Sequence, residues 1–155
     1  MTTQERIDKL YLDTDDKLNS AVDAFEYAQE VHADYEEAVR SASGLRGVSY
    51  DGVKVQTSHT SYDDALMRVI EFSERYTAAC NVYRVARKQL IELFEKAGLT
   101  DTQFRVLSAM YLTGNLKTYE VAARMAGCRN KQQAWRTYKS AFCKCALLVE
   151  SAGAK

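Results

Sequence analysis

The stretch from Thr118 to Cys145 decides the fold, and it reads TYEVAARMAGCRNKQQAWRTYKSAFCKC. A short helix is predicted over about residues 118–126, because apolar side chains recur there at helical spacing. Those side chains are Val121, Ala122 and Met125. The sequence Gly127-Cys128-Arg129 then predicts a tight turn. Asn130 is a good N-cap for a longer helix over about residues 131–151.

The longer helix is predicted to have two unlike faces. Taking Ala134 as the inward reference, at about 100° per residue, separates two sets of side chains. The inward set is Ala134, Tyr138, Ala141 and Cys145, with Phe142 at its edge. The outward set is Gln132, Arg136 and Lys139, with Gln133 and Trp135 on the flanks. Trp135 fits either packing against the preceding helix or a place beside a sugar-phosphate backbone.

The outward set has the chemistry of a base-reading surface. Glutamine and arginine are the side chains that hydrogen-bond adenine and guanine edges in the major groove. A plain solvated surface helix is the alternative. Such helices usually mix glutamate with lysine, whereas residues 131–144 contain no acidic residue. This difference favours DNA recognition.

A third short helix is predicted just upstream. Thr100-Asp101-Thr102-Gln103 is a capping box, in which the threonine and glutamine side chains each satisfy a free backbone N–H. The helix it opens is predicted to stop at Gly114-Asn115. Its apolar residues are Phe104, Val106, Leu107, Met110 and Tyr111. Three short helices with a glycine turn before a basic last helix predict a helix-turn-helix domain over residues 98–155.

Residues 1–97 predict two long helices, so the expected fold class is all-α. The first helix spans about residues 4–41. Residues 43–60 are predicted to be mainly a loop, with a short extended piece at Val53, Val55 and Thr57. The second helix spans 61–97 and ends at Gly98. Two stripes mark the first helix: Ile7, Thr14, Ala21, Ala28, Tyr35 and Tyr11, Leu18, Phe25, His32, Val39. The second carries Val69, Phe72, Tyr76, Ala79, Tyr83, Ala86, Leu90 and Leu93. Such stripes need a partner. An antiparallel hairpin used for oligomerisation or partner binding is predicted, with the stripes closing on each other or on a second copy of the chain.

Charge is divided unevenly along the chain. Residues 1–64 hold 6 Lys/Arg against 14 Asp/Glu, and residues 65–155 hold 15 against 7. Between residues 116 and 145 there are 7 cations and one acid, Glu120. A positive surface is what phosphate binding requires. A basic face neutralised by the acidic half of the chain is the alternative.

Several function classes are disfavoured by the sequence. The four cysteines and two histidines show no metal-ligand spacing, so neither a metal nor another cofactor is expected. No nucleophile elbow, phosphate-binding glycine loop or H-E-x-x-H motif is present, which argues against an enzyme. No apolar run reaches the ~18 residues needed to cross a bilayer. The polar, acidic N-terminus is unlike a secretory signal, and a cytoplasmic location is expected.

The C-terminal part resembles the fourth region of bacterial sigma factors. The resemblance is carried by LTDTQFRVL at 99–107, Tyr111, Glu120-Val121-Ala122, Met125, Asn130 and Ala141-Phe142. Upstream, SYDGVKVQTS at 49–58 followed by Asp63-Asp64-Ala65-Leu66 resembles the linker of phage and prophage regulators of the RinA/ArpU kind. The resemblance implies a phage-encoded activator of late genes in a bacterial host. It also implies that Asn130, Lys131, Gln132, Gln133 and Arg136 read bases.

The sequence thus predicts a sequence-specific transcriptional regulator that binds double-stranded DNA and forms a homodimer through its long helices. Host RNA polymerase is a candidate partner, and whether the protein contacts it directly stays open. The predicted DNA contacts are Lys117, Thr118, Arg129, Asn130, Lys131, Gln132, Gln133, Arg136 and Lys139. Two alternatives stay open: a small packaging-terminase subunit that recognises DNA, and a helical adaptor for RNA polymerase without DNA of its own.

Overall fold

The computed structural model describes residues 1–48, 55–112 and 118–153, without the side chains of 45–48 and 55–61. These ranges contain five α-helices and no strand, which confirms the all-α class. The helices are α1 (Thr3–Val48), α2 (Val55–Ala97), α3 (Asp101–Tyr111), α4 (Tyr119–Ala126) and α5 (Lys131–Gly153). None of the helices in the described ranges combines the length and apolar character needed to cross a membrane.

The chain divides into two compact units by contact. One unit is Met1–Ala24 with Arg84–Lys155, and the other is Phe25–Tyr83. This grouping differs from the predicted division at residue 98. The reason lies inside the first unit, where Leu18 of α1 and Phe94 of α2 share one apolar cluster with Leu107 of α3.

The first unit is built around three mutually packed short helices. α3, α4 and α5 each contact the other two. Local signals define their ends: Gly98 adopts a left-handed φ of 68° after α2, and the capping box at Thr100 starts α3, as predicted. The Thr100 hydroxyl accepts from the Gln103 amide at 3.3 Å, and the Gln103 side chain accepts from the Thr100 amide at 3.0 Å. The core residues include Leu18, Val22, Leu90, Phe94, Val106, Leu107, Ala122, Ala141, Phe142 and Cys145.

In the second unit, aromatic side chains of α1 and α2 pack at the edges of a line of small residues. The ring centres of Phe25 and Tyr83 lie 5.4 Å apart, and those of His32 and Tyr76 lie 4.9 Å apart with the ring planes tilted by 49°. The positions at the centre of the contact are Ala28, Val31 and Ala79, which are buried. The predicted stripe of α2 is confirmed, since each of its residues is buried or half-buried.

The stripe of α1 is only partly as predicted. Ile7, Tyr11 and Val39 are exposed, whereas Val31 and Ala38 are buried although the heptad pattern did not include them. Large rings reach a neighbouring helix from the side, so the line of closest approach is left to Ala and Val. The predicted positions from Thr14 to Ala28 are therefore buried or half-buried, whereas further along α1 the buried residues Val31 and Ala38 each lie one position before a predicted one.

Two further predictions are corrected by the structure. The loop predicted over 43–60 is largely helical, because α1 continues to Val48 and α2 already begins at Val55; Val53 lies outside the described residues. Gly44 faces open space, and one glycine costs a helix only about 1 kcal/mol relative to alanine. In α4, Ala123 and Ala126 are buried beside Ala122, while Met125 is 50% exposed. The buried face of α4 is made of alanine because α4 packs closely on both α3 and α5.

Candidate nucleic-acid interface

The turn before α5 is fixed by its backbone and by one glycine. Thr118 caps α4, its hydroxyl accepting from the Val121 amide at 3.4 Å. Gly127 ends the helix at φ 74° and ψ 23°, a left-handed conformation that a residue with a Cβ rarely adopts. The amide of Cys128 then donates to the carbonyl of Ala123 at 2.9 Å. The chain therefore enters α5 in a defined direction.

The first turn of α5 is locked by a reciprocal pair of hydrogen bonds. The Asn130 side-chain oxygen accepts from the Gln133 amide at 2.9 Å, which confirms Asn130 as the N-cap. The Gln133 side-chain oxygen in turn accepts from the Arg129 amide at 2.8 Å. Gln133 therefore uses one lone pair of its carbonyl oxygen within the protein, which leaves its amide NH₂ group and the second lone pair to contact a ligand.

The inward face of α5 is the one predicted. Ala134, Ala141 and Cys145 have no exposed surface, and Phe142 and Val149 are also buried. The small side chains of Ala134, Ala141 and Cys145 let α5 approach α3 and α4 closely. Polar contacts also join α5 to α3, since the Gln103 amide nitrogen donates to the Ser140 hydroxyl at 3.0 Å. Lys144 donates to the Gln103 side-chain oxygen at 2.8 Å, so its charge is turned toward α3.

A tyrosine pair ties α5 to α3. The hydroxyls of Tyr111 and Tyr138 hydrogen-bond at 2.7 Å. Burial raises the pKa of Tyr138 to about 12. Burial, followed by the bond to Tyr138, raises the pKa of Tyr111 further above its ordinary value. Burial also raises the pKa of the Cys145 thiol to about 11. Both phenols and this thiol therefore stay neutral near pH 7.

The outward face of α5 presents the predicted contact residues. Most of them lie in or just before its first turns and are exposed: Arg129, Asn130, Lys131, Gln132, Gln133 and Arg136. Thr118 is exposed but stands at the start of a different helix. Lys117 lies outside the described residues. No carboxylate in the described ranges lies within ion-pair distance of the cations of this face.

Lys139 and Trp135 lie on the flank of this face. The ammonium of Lys139 is 4.2 Å from the centre of the Trp135 ring, a cation–π contact. Trp135 is 44% exposed and lines a groove with Ile7, Tyr11 and other residues of the first unit. Sequence reasoning missed this groove, because it depends on how the first turns of α1 lie against α5 and has no signal in either segment alone.

Among the residues that the structure describes, no group of three His, Cys, Asp or Glu side chains could hold a metal ion. The four cysteines are free, and Cys143 is exposed while Cys145 is buried, as their helical spacing predicts. The chain matches no family model, no curated protein and no solved structure.

Proposed function

We propose that this protein is a sequence-specific transcriptional regulator that binds double-stranded DNA through α5. In this proposal α3, α4 and α5 form a helix-turn-helix, with α5 in the major groove. The observation that carries the proposal is the exposed N-terminal face of α5, whose cations have no carboxylate within ion-pair distance among the described residues. Unneutralised cations beside glutamine and arginine suit both phosphate binding and base readout.

The way α5 is held supports a reading role. Recognition requires side chains on a rigid element, since loose positioning weakens specific hydrogen bonds. The cap at Asn130 and the fully buried alanines at 134 and 141 fix both the start and the rotation of α5. Gln132 and Arg136 are one helical turn apart, so they can address neighbouring base pairs. Arginine bound to guanine through two hydrogen bonds is the commonest specific contact.

The long helices supply the proposed self-association. Ring contacts of the second unit join Phe25 to Tyr83 and the later Tyr35 to the earlier Tyr76. This order supports an antiparallel hairpin of α1 and α2. A homodimer built on it would place two copies of α5 on half-sites about 34 Å apart, or a multiple of that. Its target would then be a pseudo-palindrome or a direct repeat.

The resemblance to phage regulators extends the proposal. It implies a phage-encoded activator of late genes in a bacterial host, and we place the protein in the cytoplasm with the host RNA polymerase as a candidate partner. The role is one of binding, without cofactor or catalysis. Sequencing duplexes that the purified protein enriches from fragmented phage DNA would test this extension. Sites beside late genes are expected, and sites scattered without relation to promoters would count against it.

The first test is a titration with random duplex at several salt concentrations. Four cations, Arg129, Lys131, Arg136 and Lys139, can each neutralise one phosphate, which predicts a log–log salt slope of about −3.5 per α5. Affinity should therefore fall about a hundredfold between 50 and 200 mM salt. Absence of binding even at low salt would overturn the proposal and favour the adaptor.

The second test separates base recognition by α5 from simple electrostatic attraction to the DNA phosphates. On a duplex enriched from a random library, Arg136→Ala should weaken binding by about 1–3 kcal/mol. On random duplex the same variant should lose only one phosphate contact. Arg40→Ala removes an equal charge from an exposed position on α1 and serves as the control. If Arg136→Ala and Arg40→Ala bound the enriched duplex alike, α5 would not be the reading helix.

A further inference from the structure

An open groove runs along one side of α5 in the first unit. It has a volume of about 420 Å³ and is lined by side chains of α1, α4 and α5. The residues that matter here are Ile7, Tyr11, Tyr119, Trp135, Lys139 and Phe142. The rings of Tyr11 and Phe142, which both line the groove, are 5.1 Å apart. Half of the described lining residues are aromatic.

The groove presents apolar surface to solvent. Ile7 is 54% exposed and Tyr11 55% exposed, although both belong to the stripe that was predicted to be buried. Exposed aromatic and aliphatic side chains that share one concave surface usually mark a binding site. A volume of this size also lies within the range of sites that hold one small molecule.

The charge of the groove selects the kind of molecule. Lys139 is the one ionised side chain among the described lining residues at neutral pH, and no carboxylate lines the groove. The Lys139 ammonium lies over the ring of Trp135, which also lines the groove, and no described carboxylate pairs with it. A cation with no partner acid attracts an anion and disfavours a cationic ligand.

We propose that the groove binds a flat aromatic molecule that carries one anionic group. The ring system lies against Trp135, Tyr11 and Phe142, and the anion pairs with Lys139. This site does not depend on DNA binding. Its regulatory consequence does rest on the proposed function, because Lys139 also belongs to the proposed DNA surface. A ligand anion and a phosphate then compete for one ammonium, so each should weaken the other by the same factor.

Trp135 makes the site directly measurable, since it is the only tryptophan in the chain. The probe is 8-anilinonaphthalene-1-sulfonate, and N-phenyl-1-naphthylamine supplies nearly the same rings without the charge. The sulfonate should quench Trp135 by energy transfer with one saturable site per chain. It should bind roughly three- to tenfold more tightly than the neutral probe, as one charge-assisted hydrogen bond at a partly exposed site provides.

Two variants assign the charge effect to its residue. Lys139→Gln should remove the preference for the sulfonate and leave the affinity of the neutral probe unchanged. Lys88→Gln removes the same charge from an exposed position on α2 that neither lines the groove nor belongs to the proposed DNA surface, and it should behave like the unmodified chain. Far-UV circular dichroism checks that each variant keeps its helices.

The outcomes separate this proposal from the previous one. Equal affinity for the two probes, binding at many weak sites, or equal effects of the two lysine variants would overturn the aromatic-anion site. Probe affinity that falls as protein concentration rises would also overturn it, because a second copy of the chain would then fill the groove. Saturable sulfonate binding in a protein that never binds duplex would overturn only the DNA proposal.

Discussion

Replacing Tyr138 with phenylalanine removes one hydroxyl from a pair that joins α3 to α5. The partner Tyr111 is 4% exposed, and the two oxygens are 2.7 Å apart. Phenylalanine keeps the ring contacts of Tyr138 with Tyr119 and Phe142. The loss is therefore confined to the hydrogen bond and to the Tyr111 hydroxyl left without a partner.

The two tyrosines should not cost the same. Tyr138→Phe leaves the buried Tyr111 hydroxyl unpaired, which costs about 1–3 kcal/mol. Tyr111→Phe leaves the Tyr138 hydroxyl unpaired, but Tyr138 is only half-buried and lines the open groove, where water can reach it. That change should cost only about 0.5–1.5 kcal/mol, the net value of one hydrogen bond. The double variant leaves no orphan hydroxyl and should cost less than the two single changes added together.

Urea unfolding followed by Trp135 fluorescence measures these costs in the unit that holds the pair. The expected order of stability loss is Tyr138→Phe above Tyr111→Phe, with a clearly non-additive double variant. Tyr111→Phe as the more damaging change would show that the assignment of the buried hydroxyl is wrong. Additive single costs would show that the two hydroxyls do not interact.

Three further predictions follow from the described geometry. Gly127→Ala should lower the free energy of unfolding by about 1–2 kcal/mol, because Gly127 has a left-handed φ. Gly44 lies inside α1 and faces open space, so Gly44→Ala should raise the free energy of unfolding by up to about 1 kcal/mol. Urea unfolding should therefore show changes of opposite sign for the two variants. The pKa of Tyr138 is about 12 in the folded protein against 10.0 ordinarily. The stability that the neutral Tyr138 phenol contributes is therefore complete below pH 10 and is lost as the pH rises through 12. The midpoint of thermal unfolding should fall between pH 10 and 12, and less steeply in Tyr138→Phe. Lys131→Glu places an acid in the first turn of α5, which should stabilise the helix by about 0.3–1 kcal/mol while weakening duplex binding; loss of both stability and binding would contradict this trade-off.

Local signals in the sequence predicted the end of α2, the start of α3 and the turn from α4 into α5, but not the end of α1 or the start of α2. The capping box at Thr100, the left-handed glycines at 98 and 127 and the cap at Asn130 were all identified from residue type and spacing. Each of these features depends on a few neighbouring residues, so no knowledge of the tertiary fold was needed. The inward face of α5 was predicted for the same reason, since one helix fixes the angles between its side chains.

Features that depend on two or more elements were missed. The exposure of Met125 follows from the close packing of α4, which favours alanine over a longer side chain. The Tyr111–Tyr138 pair spans 27 positions of sequence. No local pattern encodes such contacts.

The charges at the start of α5 run against its own stability. A helix N-terminus carries partial positive charge and favours acidic residues in the first turn. α3 follows this rule with Asp101, whereas α5 begins with Lys131 and has no acidic residue in its first turn. Its last turn lacks a basic residue, so the other end is not complemented either. A sequence that departs from a local rule in this way usually does so where function requires it. The absent negative charge is what a DNA phosphate would supply, and this is the physical reason to expect that α5 gains stability when the duplex binds.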